Sequence, residues 1–338
     1  MKKLSFALAA LLVLGLAGCA SGETAGGEGG TGTEGQPAAT QPAATQQEAG
    51  AVTFTDDLGN EVTVNNPQRV VACMGSFANA WELAGGTLVG VSDDALTAAG
   101  FTIASPDVAT VGDFANVNLE SIIALNPDFV IMTSGTGGRG GDSSQADLRD
   151  ALVSSNIPVA YFEVTTFDDY LRLMRTFADI TGDEAAFEQN AAAVQKAIEG
   201  IKAQVPAGEA PSVLVMTTYS GGTRVQAGST MTGSMLADLG VRNLADENRS
   251  LLKDFSLESV IELDPDFIFV IPMGNDAEAA TAALEAETAA NPAWATLSAV
   301  QNGRYITLDP ALFLSKPNAN WAESYQVLYD ALYGANEA

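Results

Sequence analysis

Short apolar runs alternate with helix-like segments along most of the chain. In the first half, the runs that predict buried strands lie at 70–74, 88–91, 129–132 and 159–162. Helical periodicity separates them, at 78–84, 119–125 and 145–154. A second series begins near residue 211, with strands predicted at 213–217, 267–271 and 305–308 and helices at 234–239, 257–263 and 321–332. This rhythm predicts an α/β fold of two Rossmann-like lobes with mostly parallel sheets.

A helical connector is predicted between the two series. Thr181 and Gly182 interrupt it, and strong helix formers then run from Asp183 to a stop before Pro206. A helix of about 20 residues spans roughly 30 Å, so this segment predicts a single long, stiff connecting helix. The resulting plan is an N-terminal lobe at 51–165, a connecting helical segment at 166–205 and a C-terminal lobe at 206–338. A small hairpin is expected at 54–64.

One segment occurs twice, as LESIIALNPDFVIM at 119–132 and LESVIELDPDFIFV at 257–270. Asn118 and Ser256 stand where helix N-caps are expected, and a proline ends each helix before a buried strand. Glu120 and Glu258 fall in the first helical turn, where a carboxylate complements the helix dipole. That role suffices for one glutamate. Two at matching positions predict a pair of exposed charges on one surface, although duplication alone also explains them.

The first 50 residues differ from the rest in composition. Lys2, Lys3 and a short apolar run predict an export signal at 1–18, and LAGC at 16–19 resembles a bacterial lipoprotein signal. That resemblance implies that Cys19 carries a lipid; in an ordinary secretory signal Cys19 would be incidental. Residues 19–50 have a linker composition. We therefore predict a membrane anchor at the extracytoplasmic face, a Gram-positive surface being favoured over a periplasm.

The charge and the missing residue types exclude several functions. With 42 acidic and 15 basic residues the net charge is −27, which disfavours a nucleic-acid partner. The chain has no histidine, which excludes Ser-His-Asp and Cys-His sites. We predict no catalytic residues and no protein-held metal, and a core position for Cys73. An extracellular carboxylate-dependent hydrolase and a surface adhesion module are the alternatives from other classes.

The order of lipoprotein signal, linker, two α/β lobes and connecting helix resembles the class III binding proteins of ABC importers for iron–siderophore, haem and cobalamin uptake. The sequence signs are VTFTDDLGNEVTV and PQRVV within 52–71, the two repeated segments, and GRYITLD at 303–309. In that family one glutamate on each lobe docks into arginine pockets of the membrane permease. Glu120 and Glu258 occupy the matching positions. The resemblance implies a monomer that delivers a small-molecule metal complex to its permease.

In open α/β sheets, ligands bind outside the carboxyl ends of the strands, which predicts a cleft between the lobes. The residues that we expect to contact the ligand are Met74, Ser76, Phe77, Arg139, Tyr219, Arg224 and Met231. The two arginines could hold an anionic group of the ligand. The alternative roles are packing for the apolar side chains, helix capping for Ser76 and a solvated loop position for the arginines. GTGGRG at 135–140 lies too far before a helix for a dinucleotide site.

The ligand class follows partly from what is missing. The lack of histidine counts against the related zinc and manganese binders and against histidine-ligated haem; haem held by tyrosine or methionine stays open. A ferric siderophore needs no direct bond from protein to metal, because the chelator fills the coordination sphere. We therefore expect a ferric siderophore-type complex and no resident cofactor, with haem or cobalamin as the alternative.

Overall fold

The computed structural model describes residues 50–98, 100–135, 145–274 and 277–334. The predicted export signal, nearly all of the predicted linker, Cys19 and Arg139 lie outside these ranges, as does most of the GTGGRG segment. The domain boundaries given above stay predictions.

The N-terminal half begins with a hairpin and continues as a parallel sheet. Its strands are β1 (Ala51–Thr55), β2 (Glu61–Asn65), β3 (Val70–Ala72), β4 (Leu88–Val91), β5 (Ala109–Thr110), β6 (Gly112–Asp113), β7 (Asn116–Val117), β8 (Phe129–Thr133) and β9 (Val159–Phe162). Its helices are α1 (Gly75–Leu83), α2 (Asp94–Thr97), α3 (Leu119–Ala124) and α4 (Arg149–Ser154). Strands β1 and β2 form the predicted hairpin, and a five-stranded parallel sheet, the N-terminal sheet, has the order β5-β4-β3-β8-β9.

The connector consists of two helical runs that are separated at Gly182. Helix α5 (Phe167–Thr181) starts with a capping box between Thr166 and Asp169 and ends at Gly182, which has the left-handed φ of 76° that glycine tolerates. The second run is α6 (Glu184–Phe187), a π-helical turn at Glu188–Ala192 and α7 (Ala193–Lys202). The break predicted at Thr181-Gly182 is confirmed, whereas the π turn was not foreseen.

The C-terminal half contains a second five-stranded sheet, the C-terminal sheet. Its strands are β10 (Ser212–Tyr219), β11 (Gly222–Val225), β12 (Arg242–Asn243), β13 (Phe267–Pro272) and β14 (Tyr305–Thr307). Its helices are α8 (Met231–Asp238), α9 (Leu244–Glu247), α10 (Leu257–Leu263), α11 (Ala277–Ala290), α12 (Ser298–Gln301), α13 (Pro310–Phe313) and α14 (Trp321–Tyr333). The order is β11-β10-β13-β14 with β12 beside β10, and only β11 is antiparallel.

Alternate residues of each central strand enter different core clusters, as the period of two in a strand requires. In the N-terminal sheet, Val70 and Ala72 join a cluster that also takes in the connector, while Val71 and Cys73 face a separate one. In the C-terminal sheet, Val213 joins the connector cluster, and alternate residues face a third. One continuous apolar core therefore runs from the N-terminal sheet through the connector to the C-terminal sheet.

The predicted mixed α/β fold is confirmed, and the seven strands predicted outside the hairpin lie within two residues of their observed bounds. The short strands β5, β6, β7, β11 and β12 were not predicted. Two helix starts were placed three residues too late. Helix α8 begins at Met231 because the Thr230 hydroxyl caps it, accepting from the N–H of Gly233 at 3.2 Å. Helix α1 begins at Gly75 without a side-chain cap from its N-cap residue Met74. Ser76 is therefore not the cap that the sequence allowed.

Candidate ligand-binding site

The end of β3 leads directly into α1 and places Met74 and Phe77 near the carboxyl edge of the N-terminal sheet. The Gly75 N–H donates to Asp94 Oδ2 at 2.9 Å, so a distant carboxylate from α2 satisfies the start of α1. A Cβ at position 75 would lie 2.7 Å from the backbone nitrogen of Ala95. Only glycine permits this close approach of the two helices.

Of the two predicted contact residues in this turn, Met74 is partly exposed and Phe77 is fully buried. The Phe77 ring packs edge-on against Phe162 with centroids 6.3 Å apart, and Phe162 in turn stacks on Phe54. The contact of Phe77 with a ligand stays a prediction, but the structure places this ring in the core, whereas Met74 is partly exposed.

Lys316 lies above this aromatic cluster and was missed by the sequence analysis. Its Nζ is 3.7 Å from Met74 Sδ and 5.4 Å from the centre of the Phe77 ring. Burial lowers the pKa of Lys316 to about 8, although the charges of Asp94 and Glu163 act in the opposite direction. Its being one of only 15 basic residues in an acidic chain was the signal that could have found it, although it follows the helix α13 and not a strand.

The segment that carries Lys316 is fastened to α1. Asn318, which has a left-handed φ of 50°, donates from Nδ2 to the Ser76 carbonyl and to Asn79 Oδ1, both at 2.8 Å. The Ser76 side chain is itself buried. The contact that the structure shows for this predicted site residue is therefore made by its backbone, and it holds the C-terminal segment against the N-terminal half.

The first turn of α8 approaches the same region from the C-terminal sheet. Thr232 Oγ1 donates to the Phe313 carbonyl and Ser234 Oγ donates to the Thr165 carbonyl, each at 3.2 Å. Met231, at the start of this helix, is partly exposed. The end of β9, the start of α8 and the Lys316 segment thus meet where Met231 was predicted to contact a ligand.

Tyr219 and Arg224 lie together on the hairpin of β10 and β11. The Arg224 guanidinium carbon is 5.2 Å from the centre of the Tyr219 ring, and Arg224 is exposed. Gln226 links this hairpin to α8, because it hydrogen-bonds the Thr217 hydroxyl and accepts from Thr230 Oγ1 at 3.1 Å. The predicted residues thus form two groups, Met74 with Phe77 and Tyr219 with Arg224.

Several buried polar atoms at the strand ends lack a hydrogen-bond partner among the described residues. They are Ser92 Oγ and Asp94 Oδ1 after β4, Ser134 Oγ after β8, and Thr218 Oγ1 near the end of β10. A buried polar atom without a partner costs free energy. Their occurrence at the carboxyl edges of both sheets favours this edge as the place where a polar ligand binds.

The two glutamates of the repeated segment are exposed in the first turns of α3 and α10. The predicted N-caps are confirmed: Asn118 Oδ1 accepts from the Ser121 N–H at 2.9 Å, and Ser256 Oγ accepts from the Ser259 N–H at 3.2 Å. Ser256 Oγ also lies 3.2 Å from Glu258 Oε2. Neither helix needs its glutamate to cap it.

Within the described ranges, no group of three or more histidine, cysteine, aspartate or glutamate side chains is placed to hold a metal ion. In the same part of the chain, no helix has the length and apolar character needed to cross a membrane. Cys73 is buried as predicted, and burial raises the pKa of its thiol far above the ordinary value.

In parallel sheets covered by helices, such as these two, the carboxyl ends of the strands are where ligands bind. The chain belongs to the periplasmic binding protein family, whose model matches residues 71–312. The family resemblance inferred from the sequence is confirmed.

The chain is similar to several characterised members. It is 26% identical over 258 residues to the Fe(3+)-citrate-binding protein YfmC of Bacillus subtilis, covering 75% of this chain and 77% of that protein. Staphylococcus aureus SirA, solved with staphyloferrin B, has a TM-score of 0.62 at 20% identity, covering 84% of this chain and 97% of SirA. The periplasmic heme-binding protein HutB of Vibrio cholerae gives a TM-score of 0.63 at 23% identity, with 79% and 99% covered. These two structural likenesses show the fold.

Proposed function

We propose that this chain is the substrate-binding protein of an ABC importer and that it captures a ferric siderophore-type complex at the shared strand-end region. The observation that carries the proposal is the similarity to a Fe(3+)-citrate-binding protein over three quarters of both chains. The role is capture and delivery without chemistry, which accords with a binding-protein family and a chain that lacks histidine.

The geometry supports the same function. A ferric chelate presents polar oxygens and needs no ligand from the protein, so hydroxyls, amides and cations suffice to hold it. The orphaned atoms Ser92 Oγ, Ser134 Oγ and Thr218 Oγ1 are groups of this kind. The exposed Arg224 on β11 supplies a cation that could contact an anionic group of the chelate.

Haem is the second candidate, and the likeness to HutB favours it. Met74, Tyr219 and Met231 are partly exposed and have side chains that ligate haem iron in other proteins. A haem ligated in this way would give a sharp Soret band that shifts when the ligating residue is replaced.

The test is a binding panel on the full chain in detergent, with ferric citrate, a ferric hydroxycarboxylate siderophore, haemin and cobalamin. An iron chelate at 100 times its Kd should stabilise the fold by about 2.7 kcal/mol, because it binds only the native state. We expect calorimetry and the melting temperature to respond to the ferric chelates. A response to haemin or cobalamin alone would contradict the proposed ligand class.

We further propose that Glu120 and Glu258 dock the protein onto its permease. Both are exposed, both start a helix and neither caps it. One surface ion pair contributes little, but two at a fixed separation set orientation and register. Lipid attachment at Cys19 would keep the protein at the membrane, and loss of fatty-acid labelling in Cys19→Ala is its test.

Reversing both charges, Glu120→Lys with Glu258→Lys, should leave ferric chelate affinity unchanged and abolish cellular uptake of radioactive iron. Glu262→Lys is the matched control, because Glu262 is exposed one turn further along α10. The control variant should transport normally. Normal uptake by the double variant would refute the docking role.

A further inference from the structure

Lys316 is held in place from both sides of its segment. On one side the Phe313 carbonyl accepts from Thr232 at 3.2 Å. On the other, Asn318 donates to the Ser76 carbonyl and to Asn79 at 2.8 Å. The backbone around the lysine therefore touches both halves of the chain, and the side chain projects from a fixed base.

The groups next to the ammonium do not neutralise it. Met74 Sδ at 3.7 Å is a weak acceptor, and the Phe77 ring at 5.4 Å offers only the face of a π system. No ion pair involving Lys316 occurs among the described residues. The charges of Asp94 and Glu163 act on it through space without forming an ion pair among the described residues.

Such a cation is costly to bury without a counterion. Since its pKa is about 8, Lys316 is mostly protonated at pH 7 despite its partly buried position. It lies at the carboxyl edge of the N-terminal sheet and beside the first turn of α8, within the proposed binding region. An anionic group entering this region would supply the direct ion-pair partner that Lys316 lacks among the described residues.

We propose that the Lys316 ammonium binds a carboxylate of the ferric chelate and thereby selects carboxylate-bearing complexes over neutral ones. This inference rests on the proposed function and narrows it. Arg224 is exposed on the hairpin of the C-terminal sheet, whereas Lys316 is partly buried, where a charge–charge contact is screened less by solvent. Lys316 would therefore contribute more to selectivity than the arginine.

The test compares Lys316→Met with Lys316→Arg in the full chain, with ferric citrate and a neutral ferric trihydroxamate as probes. Methionine keeps the length and loses the charge, so affinity for ferric citrate should fall at least about tenfold, the loss expected for a charged hydrogen bond. Lys316→Arg should keep most of that affinity. Trihydroxamate binding should not depend on position 316, and Lys253→Met, at an exposed lysine, should change nothing.

Two further measurements separate ligand binding from a structural role. The melting temperature of Lys316→Met should be unchanged or higher, because an uncompensated cation has been removed. From pH 7 to pH 9 the native protein should lose affinity for ferric citrate relative to Lys316→Arg. Asp94 and Glu163 are the acids whose charges act on the lysine, and the comparison with Lys316→Arg separates a loss of charge at position 316 from any other effect of pH.

The outcomes distinguish the two proposals. If the native chain binds ferric citrate and Lys316→Met binds it equally well, the lysine has no ligand role and the proposed function stands. If Lys316→Met loses both probes and melts lower, the lysine is structural and the inference is overturned. If the native chain binds no ferric complex, the proposed function fails and the inference fails with it.

Discussion

The two copies of the repeated segment, α3 with β8 and α10 with β13, are alike at their beginnings and differ where each helix ends. Both helices begin with a capped first turn and an exposed glutamate. In both, an aspartate after the proline fastens the neighbouring parallel strand. Asp128 accepts from the backbone N–H groups of Gln68 and Arg69 before β3, at 2.8 and 2.7 Å. Asp266 accepts from the Ser212 N–H and hydroxyl at the start of β10, at 2.8 and 2.7 Å.

The helix ends are stabilised in different ways. In the first copy, Arg69 donates to the carbonyls of Leu125 and Asn126, which the helix leaves free. In the second, Asp264 accepts from the N–H and the hydroxyl of Ser298, both at 2.7 Å. Asn126 and Asp264 share a left-handed φ, 46° and 41°. The backbone path is thus retained in both copies, while the contacts that support it are not.

The largest difference in the free energy of unfolding between the two copies should come from replacing the aspartates that hold the neighbouring strand, Asp128 and Asp266. Asp266→Ala would leave the Ser212 donors without their acceptor in a partly buried place, at a cost of about 2 kcal/mol. Asp128→Ala should cost about 1 kcal/mol, because Asp128 is exposed and water replaces it more easily. Denaturant unfolding measures both.

Asp254→Ala, at an exposed aspartate, serves as the control and should stay within about 0.5 kcal/mol of the native protein. Equal losses at positions 128 and 266 would show that burial does not separate the two copies.

The contribution of Asp266 to stability should also depend on pH. Partial burial acts to raise the pKa of Asp266, but hydrogen bonds from Ser212 and the charges of Arg304 and Arg242 outweigh it, so the pKa lies below its ordinary 3.8. A lowered folded-state pKa contributes stability above the unfolded-state value, and that stability is lost as the pH falls through the folded-state value. The destabilisation by Asp266→Ala should therefore decrease below about pH 3.8. A constant difference down to pH 2 would contradict the assignment.

A smaller change in the free energy of unfolding, again different in the two copies, is expected at Asn126 and Asp264, which end the helices with a left-handed φ. Glycine suits this conformation, so Asn126→Gly should change the free energy of unfolding by no more than about 0.5 kcal/mol. Asp264→Gly has the same backbone benefit but loses both contacts to Ser298, so it should destabilise by about 1 kcal/mol. Equal values for the two variants, measured by denaturant unfolding, would mean that the Ser298 contacts contribute nothing.

The parts of the fold that depend on near neighbours could be predicted from the sequence. The caps by Asn118 and Ser256, the break at Gly182 and the alternation within the strands all follow from residues close together in the chain. The start of α1 could not be predicted, because its acceptor is Asp94, 19 residues away. Helix α11 was also missed, since an alanine-rich run has little apolar contrast between its faces.

The candidate site was predicted less completely than the fold. Sheet geometry allowed Met74 to be placed at the end of β3, but the contacts of Met74 and Met231 with a ligand stay predictions. Lys316 was missed because its importance depends on packing against Met74, 242 residues away. Phe77 was expected at the surface, yet its burial depends on Phe162 and Lys316, which no local pattern reveals.

The π turn at Glu188–Ala192 fixes the phase of the connector. Tyr170 donates its hydroxyl to the Asn190 carbonyl at 3.0 Å, and Asn190 donates to the Leu83 carbonyl at 2.7 Å. A π turn is an α-helix with one residue inserted, and each helical residue turns the face by about 100°. The buried Val194, Ile198 and Ile201 therefore owe their direction to this insertion. The connector therefore determines the rotation of the C-terminal half as well as its distance, and adding or removing one residue in it would turn these side chains away from the core.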